Sequence, residues 1–174
     1  MNSCILGSAS LKWTDMQSGC CLGGPMSGKY AFVMMVRSKW WNGFCERHHQ
    51  GKDSHSYVLR GAAPPKDTSL VLFYVTKPVG KLAGYAEFIE RVFGEPEEVW
   101  NRFGNESVLK SKEKYEEFIG DTNRVSFVRV KNLHEAATPM SLSELLMRLG
   151  VRRLSRKGFY VDKETADKLL TLME

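Results

Sequence analysis

Apolar and polar residues along the chain follow two periods, and the shorter period marks the strands. Segments rich in β-branched and aromatic residues, or alternating between apolar and polar residues, are typical of strands. The most apolar, "SLVLFYV", predicts a central strand, and "NRVSFVRVKNLHEA" alternates along its whole length. Strands are predicted at residues 30–37, 55–60, 69–75, 82–93, 123–136 and 158–161.

Helix signals fill the intervals between these strands. Ser38 is a predicted N-cap for "KWWNGFCERHHQ", and Ser111 caps "KEKYEEFIG". Further short helices are predicted over 95–104, 138–151 and 162–173. Parallel doubly wound sheets need a long crossover after every strand, and this chain lacks that rhythm. The pattern therefore favours an α+β fold, a small mixed β pseudobarrel with short peripheral helices.

Composition narrows the class of protein. A length of 174 residues suggests one domain. Residues 1–25 are rich in Ser, Gly and Cys, so we expect an N-terminal extension or arm, followed by a compact domain over 26–174. The apolar runs are far shorter than the ~20 residues of a membrane span, and the N-terminus does not resemble a signal peptide. We expect a cytoplasmic protein without a membrane partner. The oligomeric state stays open.

Charge is unevenly distributed along the chain, whose net charge is +5. Residues 26–60 contain six basic and two acidic residues, whereas residues 87–121 contain ten acidic and five basic ones. A second basic cluster near the end comprises Arg148, Arg152, Arg153, Arg156 and Lys157. If the first and last strands lie together, both basic clusters can share one surface that attracts phosphates.

The stretch from Ser38 to Arg60 has the most unusual chemistry. It combines Trp40, Trp41 and Tyr57 with basic residues and three of the four histidines. Bases stack on aromatic side chains. Neighbouring residues of a helix point ~100° apart, so we expect one tryptophan in the core and the other at a cleft or rim.

A metal site is an alternative interpretation of the same stretch. Cys45 lies one helical turn before His48 and His49, and His55 offers a third ligand. No fourth ligand follows at the usual spacing, and none of the four cysteines forms a C-x-x-C pair. We therefore predict no metal, no disulfide framework and no cofactor.

The order of motifs resembles the PUA-like superfamily, especially its ASCH and EVE branches and related archaeal members. The matching stretches are "QGKDSHSYVLR", "LVLFYVTKP" and "LAGYAEF", and a later one is "LSRKGFYVDKETADKLL". The resemblance implies a β pseudobarrel with helices at its mouth and a cleft that binds RNA or modified bases. This sequence departs from the enzyme-like members, because its turn over residues 51–60 is longer and lacks the acidic residue that usually precedes the arginine.

These observations predict binding of RNA or a modified nucleotide. Arg37, Lys39, Lys52, Arg60, Arg153 and Arg156 would contact phosphates. Trp40, Trp41 or Tyr57 would stack a base, and Ser54 and His55 would read its polar edge. The alternative is a small hydrolase of modified nucleosides or RNA that uses Lys52, Tyr57 and Glu87, with Ser54 or His55 nearby. A third interpretation is an interaction module whose basic charge is incidental.

Overall fold

The computed structural model describes residues 28–174. The predicted arm over residues 1–25 therefore lies outside the described residues. Six strands and five helices are present in the described range, together with a single 3-10 turn at Gly104–Glu106. The strands are β1 (Ala31–Val36), β2 (Ser54–Arg60), β3 (Leu70–Val75), β4 (Lys81–Gly94), β5 (Val125–Ser141) and β6 (Phe159–Val161). The helices are α1 (Ser38–His49), α2 (Pro96–Phe103), α3 (Lys112–Ile119), α4 (Leu142–Leu149) and α5 (Lys163–Met173).

All six strands form one mixed sheet in the order β2-β5-β4-β3-β1-β6. Only β1 and β3 run parallel; the other neighbouring strands are antiparallel. The sheet is open, with β2 and β6 at its edges. The predicted mixed sheet with short peripheral helices is confirmed, and the first strand pairs with the last, Ala31 opposite Val161.

The two long strands bend the sheet at irregular positions. The β4–β5 register shifts near Gly84, where the sequence predicts a bulge or tight bend. Gly84 also leaves room for its neighbours, since a Cβ atom there would lie 2.2 Å from the carbonyl oxygen of His134 and 2.5 Å from the ring of Trp41. The long β5 pairs with β4 along most of its length and with β2 over its first half.

Two buried clusters hold the helices to the sheet. The larger one contains Trp40, Trp41 and Phe44 of α1 together with Phe73 of β3 and Phe127 of β5. The smaller one joins β1, β3 and β4 to α4 and α5, with Leu145 and Leu169 fully or almost fully buried. None of the helices described here has the length and hydrophobicity needed to cross a bilayer.

The predicted N-cap of α1 is wrong by one residue. Arg37 holds the cap position with an extended backbone, and Ser38 is the first helical residue. The backbone N–H of Thr76 donates to the carbonyl of Val36 at 2.8 Å. Because this bond carries the β1–β3 ladder to the end of β1, the helix begins only after Arg37. The predicted N-cap of α3 is confirmed, because the Ser111 side chain accepts a hydrogen bond from the backbone N–H of Lys114.

Candidate nucleic-acid interface

Basic side chains gather around a groove at the carboxyl ends of β1 and β3. We call it the basic groove and define it by Lys77, Arg152, Arg153 and Arg156, which surround an apolar floor containing Met35 and Tyr74. Its volume is about 590 Å³. The segment after α4 supplies the three arginines, and the β3–β4 turn supplies the lysine. Among the residues that the structure describes, no acidic one lines the groove.

The cations of the basic groove are uncompensated. Within residues 28–174, none of its four basic side chains has a carboxylate oxygen within 4.0 Å. By contrast, the lysines of α5 are each paired with an acid one turn away, Lys163 with Asp167 and Lys168 with Glu164. Exposed cations without partners repel one another, so an anion bound between them is stabilised.

The start of α1 adjoins this groove. Arg37 directly follows β1, where Val36 hydrogen-bonds to Thr76, and Thr76 lines the groove. Both Arg37 and Lys39 are exposed. The first turn of α1 contains no acidic residue, and no described side chain caps it, so the positive end of the helix dipole adds to the charges of Arg37 and Lys39.

The expectation that one tryptophan lines a cleft is wrong. Trp40 and Trp41 are only 2% and 8% exposed. The Trp40 ring contacts Tyr57 edge-on at 4.8 Å between centroids, whereas the Trp41 ring lies 5.4 Å from that of Phe73. The two rings do diverge, as helix geometry requires, but core surrounds α1 on both of these sides. Neither ring offers a free face to a base.

The polar residues expected to read a base are only partly accessible. His55 is fully buried, and the aromatic ring of Phe44 lies 5.8 Å away. Burial, together with the charges of Arg47 and His48, lowers the pKa of His55 to about 4. Ser54 and Tyr57 are half-buried. Burial raises the pKa of the Tyr57 phenol, and the charge of Arg37 opposes that rise.

Two of the predicted phosphate contacts lie away from the groove. Lys52 follows the carboxyl end of α1, a 12-residue helix that is roughly 18 Å long at 1.5 Å per residue. Arg60 is held by α3, because its Nε donates to the carbonyl of Phe118 at 2.8 Å and its guanidinium lies 5.5 Å from the Phe118 ring centre. Of the predicted basic residues, the structure therefore brings Arg153 and Arg156 to the groove and Arg37 beside it.

The residues of the hydrolase alternative do not form a hydrogen-bonded set. Glu87 accepts from Asn132 at 2.8 Å and pairs with Lys131 at 3.3 Å, and these bonds lower the pKa of its carboxyl group. Lys52 makes no side-chain hydrogen bond or ion pair with Glu87 or Tyr57. Tyr57 instead packs against Trp40. The geometry lacks the contact between lysine and carboxylate that this mechanism needs.

The candidate metal ligands fall into two separate pairs. Cys45 and His49 both contact Glu135 of β5, with His49 Nε2 at 2.6 Å from its carboxylate. Burial, with a contribution from Glu135, raises the pKa of the Cys45 thiol to about 12. His48 and His55 instead lie edge-on to each other, with 6.1 Å between their ring centroids. Across residues 28–174, no three His, Cys, Asp or Glu side chains are placed to hold a metal ion.

A second cavity was not predicted. It has a volume of about 550 Å³ and lies between the later turns of α1 and residues 100–110. Arg47, Gln50, Asn105 and Lys110 contribute to its lining. No local pattern predicts it, because α1 and residues 100–110 are distant in the sequence and come into contact only in the folded structure.

A polar cluster around Glu106 was also not predicted from the sequence. Glu106 accepts two hydrogen bonds from Arg129, at 2.6 and 2.7 Å, and one from Ser56 at 2.8 Å. Burial opposes ionisation of this carboxyl, yet these bonds hold its pKa below the ordinary value. The Arg129 guanidinium also lies 4.2 Å from the Phe103 ring centre. The cluster joins the 3-10 turn to β2 and β5.

Comparison with solved structures identifies the fold. The crystal structure of the ASCH protein from Zymomonas mobilis superposes with a TM-score of 0.66 and 20% identity, covering 83% of this chain and 96% of that one. A serine-to-alanine mutant of the same protein gives a TM-score of 0.69 and 18% identity, covering 86% and 100%. No protein-family model matches the sequence, and no curated protein does.

Proposed function

We propose, on the premise that the chain has the ASCH fold of the PUA-like superfamily, that it binds RNA and contacts the phosphates at the basic groove. The observation that carries this proposal is a set of four cations around one groove, none of which forms an ion pair within the described part of the chain. Neutralising phosphates releases condensed counterions, which favours binding at low salt. Arg37 and Lys39 at the start of α1 extend the positive surface.

RNA is favoured over duplex DNA by the shape of the surface. The described helices include no helix-turn-helix pair with a basic recognition face, and a groove suits a single strand whose bases are unstacked. Tyr74 lies at the floor of the groove and is 5% exposed. Its small exposed portion gives a base an apolar surface to contact, so affinity comes mainly from phosphate contacts, with weak sequence preference.

The test compares two double variants that remove the same charge. The Arg153→Ala/Arg156→Ala variant takes two cations from the groove, and Lys163→Ala/Lys168→Ala takes two cations that are already paired on α5. Binding of a short labelled single-stranded RNA is measured by fluorescence anisotropy at several salt concentrations. We expect the groove variant to bind more weakly and to flatten the slope of log K against log salt by roughly 1–2.

The control pair should leave both affinity and slope nearly unchanged. Equal losses in the two double variants would mean that only net charge matters, and the groove would lose its role. Absence of salt-sensitive binding in the unmodified protein would reject the proposed function altogether.

A further inference from the structure

The unpredicted cavity between α1 and residues 100–110 contains a half-buried cation that is only partly compensated. The side chain of Arg47 lines it, and its Nη2 donates to the carbonyl of Asn105 at 2.6 Å. Its Nε is buried without a hydrogen-bond partner among the described residues. Burial lowers the pKa of this guanidinium, which nevertheless stays protonated at neutral pH. The Arg47 guanidinium is therefore held in place by one hydrogen bond and can still donate others.

The neighbouring carboxylates do not neutralise this guanidinium. Glu106 acts on Arg47 only at a distance, and both of its oxygens are occupied by Arg129 and Ser56. Glu46 lines the cavity but lies more than 4.0 Å from any cation of residues 28–174. A half-buried charge is screened by water less than a fully exposed one, so an anion that reaches Arg47 is stabilised more than it would be at the surface.

The rest of the lining sets the size and polarity of the ligand. Lys110 adds a second cation, and the amides of Gln50, Asn101 and Asn105 provide both donors and acceptors. A volume of about 550 Å³ falls within the range of small-molecule sites. A fork-shaped guanidinium and a point-like ammonium together match the doubly charged, three-oxygen group of a phosphate monoester.

We propose that this cavity binds a nucleotide-sized phosphate monoester, with Arg47 and Lys110 contacting the phosphate and the amide side chains contacting the remainder. The site is distinct from the basic groove, since Arg47 lies ten residues beyond Arg37 along α1, about 15 Å at helical rise. It does not depend on the proposed RNA binding. The same phosphate can belong to a free nucleotide or to the end of a strand.

The first experiment is calorimetric titration with nucleoside 5′-monophosphates and with the matching nucleosides. We expect saturable binding of the monophosphates and none of the nucleosides. Lys110→Glu should weaken binding at least tenfold, because the substitution replaces an attracting ammonium with a carboxylate that repels the phosphate. Lys114→Glu is the matched control, because it makes the same charge change at an exposed position of α3 outside the cavity. It should leave the affinity for monophosphates unchanged.

Arg47→Lys tests the guanidinium while keeping its charge, and we expect a comparable loss. Because this substitution also breaks the bond to Asn105, Lys110→Glu is the deciding variant if Arg47→Lys does not fold. No binding of any monophosphate to the unmodified protein would overturn the proposal, and so would equal affinity in Lys110→Glu and Lys114→Glu.

Short RNAs with and without a 5′-phosphate separate the two sources of the group. A preference for the phosphorylated strand that disappears in Lys110→Glu assigns the cavity to a strand end. Binding of free monophosphates without such a preference assigns it to free nucleotides. Either result supports the site. The Arg153→Ala/Arg156→Ala variant should bind monophosphates normally, so failure of the groove and failure of the cavity remain distinguishable.

Discussion

At the level of single residues, His55 differs most from its surroundings. Its ring is fully buried, and neither nitrogen has a hydrogen-bond partner among residues 28–174. Burial is the main reason that the pKa of His55 is lowered, and the charges of Arg47 and His48 act in the same direction. Glu106 of the 3-10 turn and Asp53 of the preceding turn favour protonation but do not offset these effects.

The buried imidazole makes stability depend on pH. The pKa of His55 is lowered from 6.5 to about 4 on folding, so the unfolded chain binds more protons between these values. The stabilisation is fully present above pH 6.5 and is lost as pH falls toward 4, by roughly 3 kcal/mol in total. Urea unfolding at pH 7 and pH 4.5 should show this loss, and His55→Phe should reduce it.

The control for that experiment is His134→Gln. His134 is exposed and stacks on Tyr85 at 4.8 Å, so its removal should leave the pH dependence intact. If His55→Phe retained the full loss of stability on acidification, the buried imidazole would not be its source.

Trp41 illustrates the difference between a residue that binds and one that packs. Its ring rests against Phe73 and over Gly84. Trp41→Ala should lower the free energy of unfolding by about 3–5 kcal/mol, as measured by denaturant titration. Lys39→Ala, on the exposed side of the same helix turn, should change stability by well under 1 kcal/mol. A stable Trp41→Ala protein with weakened RNA binding would contradict the packing role.

At the level of elements, the Glu106–Arg129 pair connects the α2 region to the sheet. Both side chains are 16% exposed, so removing one partner leaves a largely desolvated charge on the other. The pair also adjoins the second cavity, because the 3-10 turn that holds Glu106 contributes Asn105 to the cavity wall.

Replacing one partner of this pair leaves the other charge unpaired, so the two single substitutions should together cost more stability than the double substitution. Glu106→Ala is expected to destabilise the fold by roughly 3 kcal/mol, and Glu106→Ala/Arg129→Ala by less than the sum of the single changes. A double-mutant cycle in urea measures the coupling. The exposed pair of Glu98 and Arg102, 3.8 Å apart, is the control and should couple by less than about 1 kcal/mol. Equal coupling in both pairs would contradict the buried role.

At the level of the whole molecule, β5 is the strand on which the sheet depends. It pairs with β2 on one side and β4 on the other, and α1, α2, α4 and α5 also contact it. The edge strand β6 has only three residues and one partner. Stability should therefore decline from the centre of the sheet toward β6.

Hydrogen exchange can test this gradient. The amides of Val128 and Val130, in the doubly paired part of β5, should exchange only with global unfolding. The amides of Phe159–Val161 should exchange through local opening, whose free energy should be several-fold lower than that of global unfolding. Equal protection of both strands would mean that the sheet opens as one unit.

The sequence predicts the elements well because each carries its own local signal. The strands alternate or are apolar, and Ser111 caps its helix as expected. Tertiary placement is what local patterns do not contain. Trp40 and Trp41 diverge as helix geometry requires, yet both are buried because Tyr57 and Phe73 come from strands that cover two sides of α1.

The candidate site shows the same limit. Arg153 and Arg156 line the groove, whereas Lys52 and Arg60 lie in other parts of the fold. Charge clusters are visible in the sequence, but their position depends on strand order. Arg47 carries no signal that distinguishes it from other helix arginines, and its burial follows only from where residues 100–110 pack.

The basic groove draws its floor from β1 and β3 and its arginines from the segment that precedes β6. During translation, the early strands emerge from the ribosome long before residues 152–156. A nascent chain therefore lacks most of the positive wall until residues 152–156 have left the ribosome. The order of residues along the chain thus delays assembly of the groove until β1 and β3 are already available to form its floor.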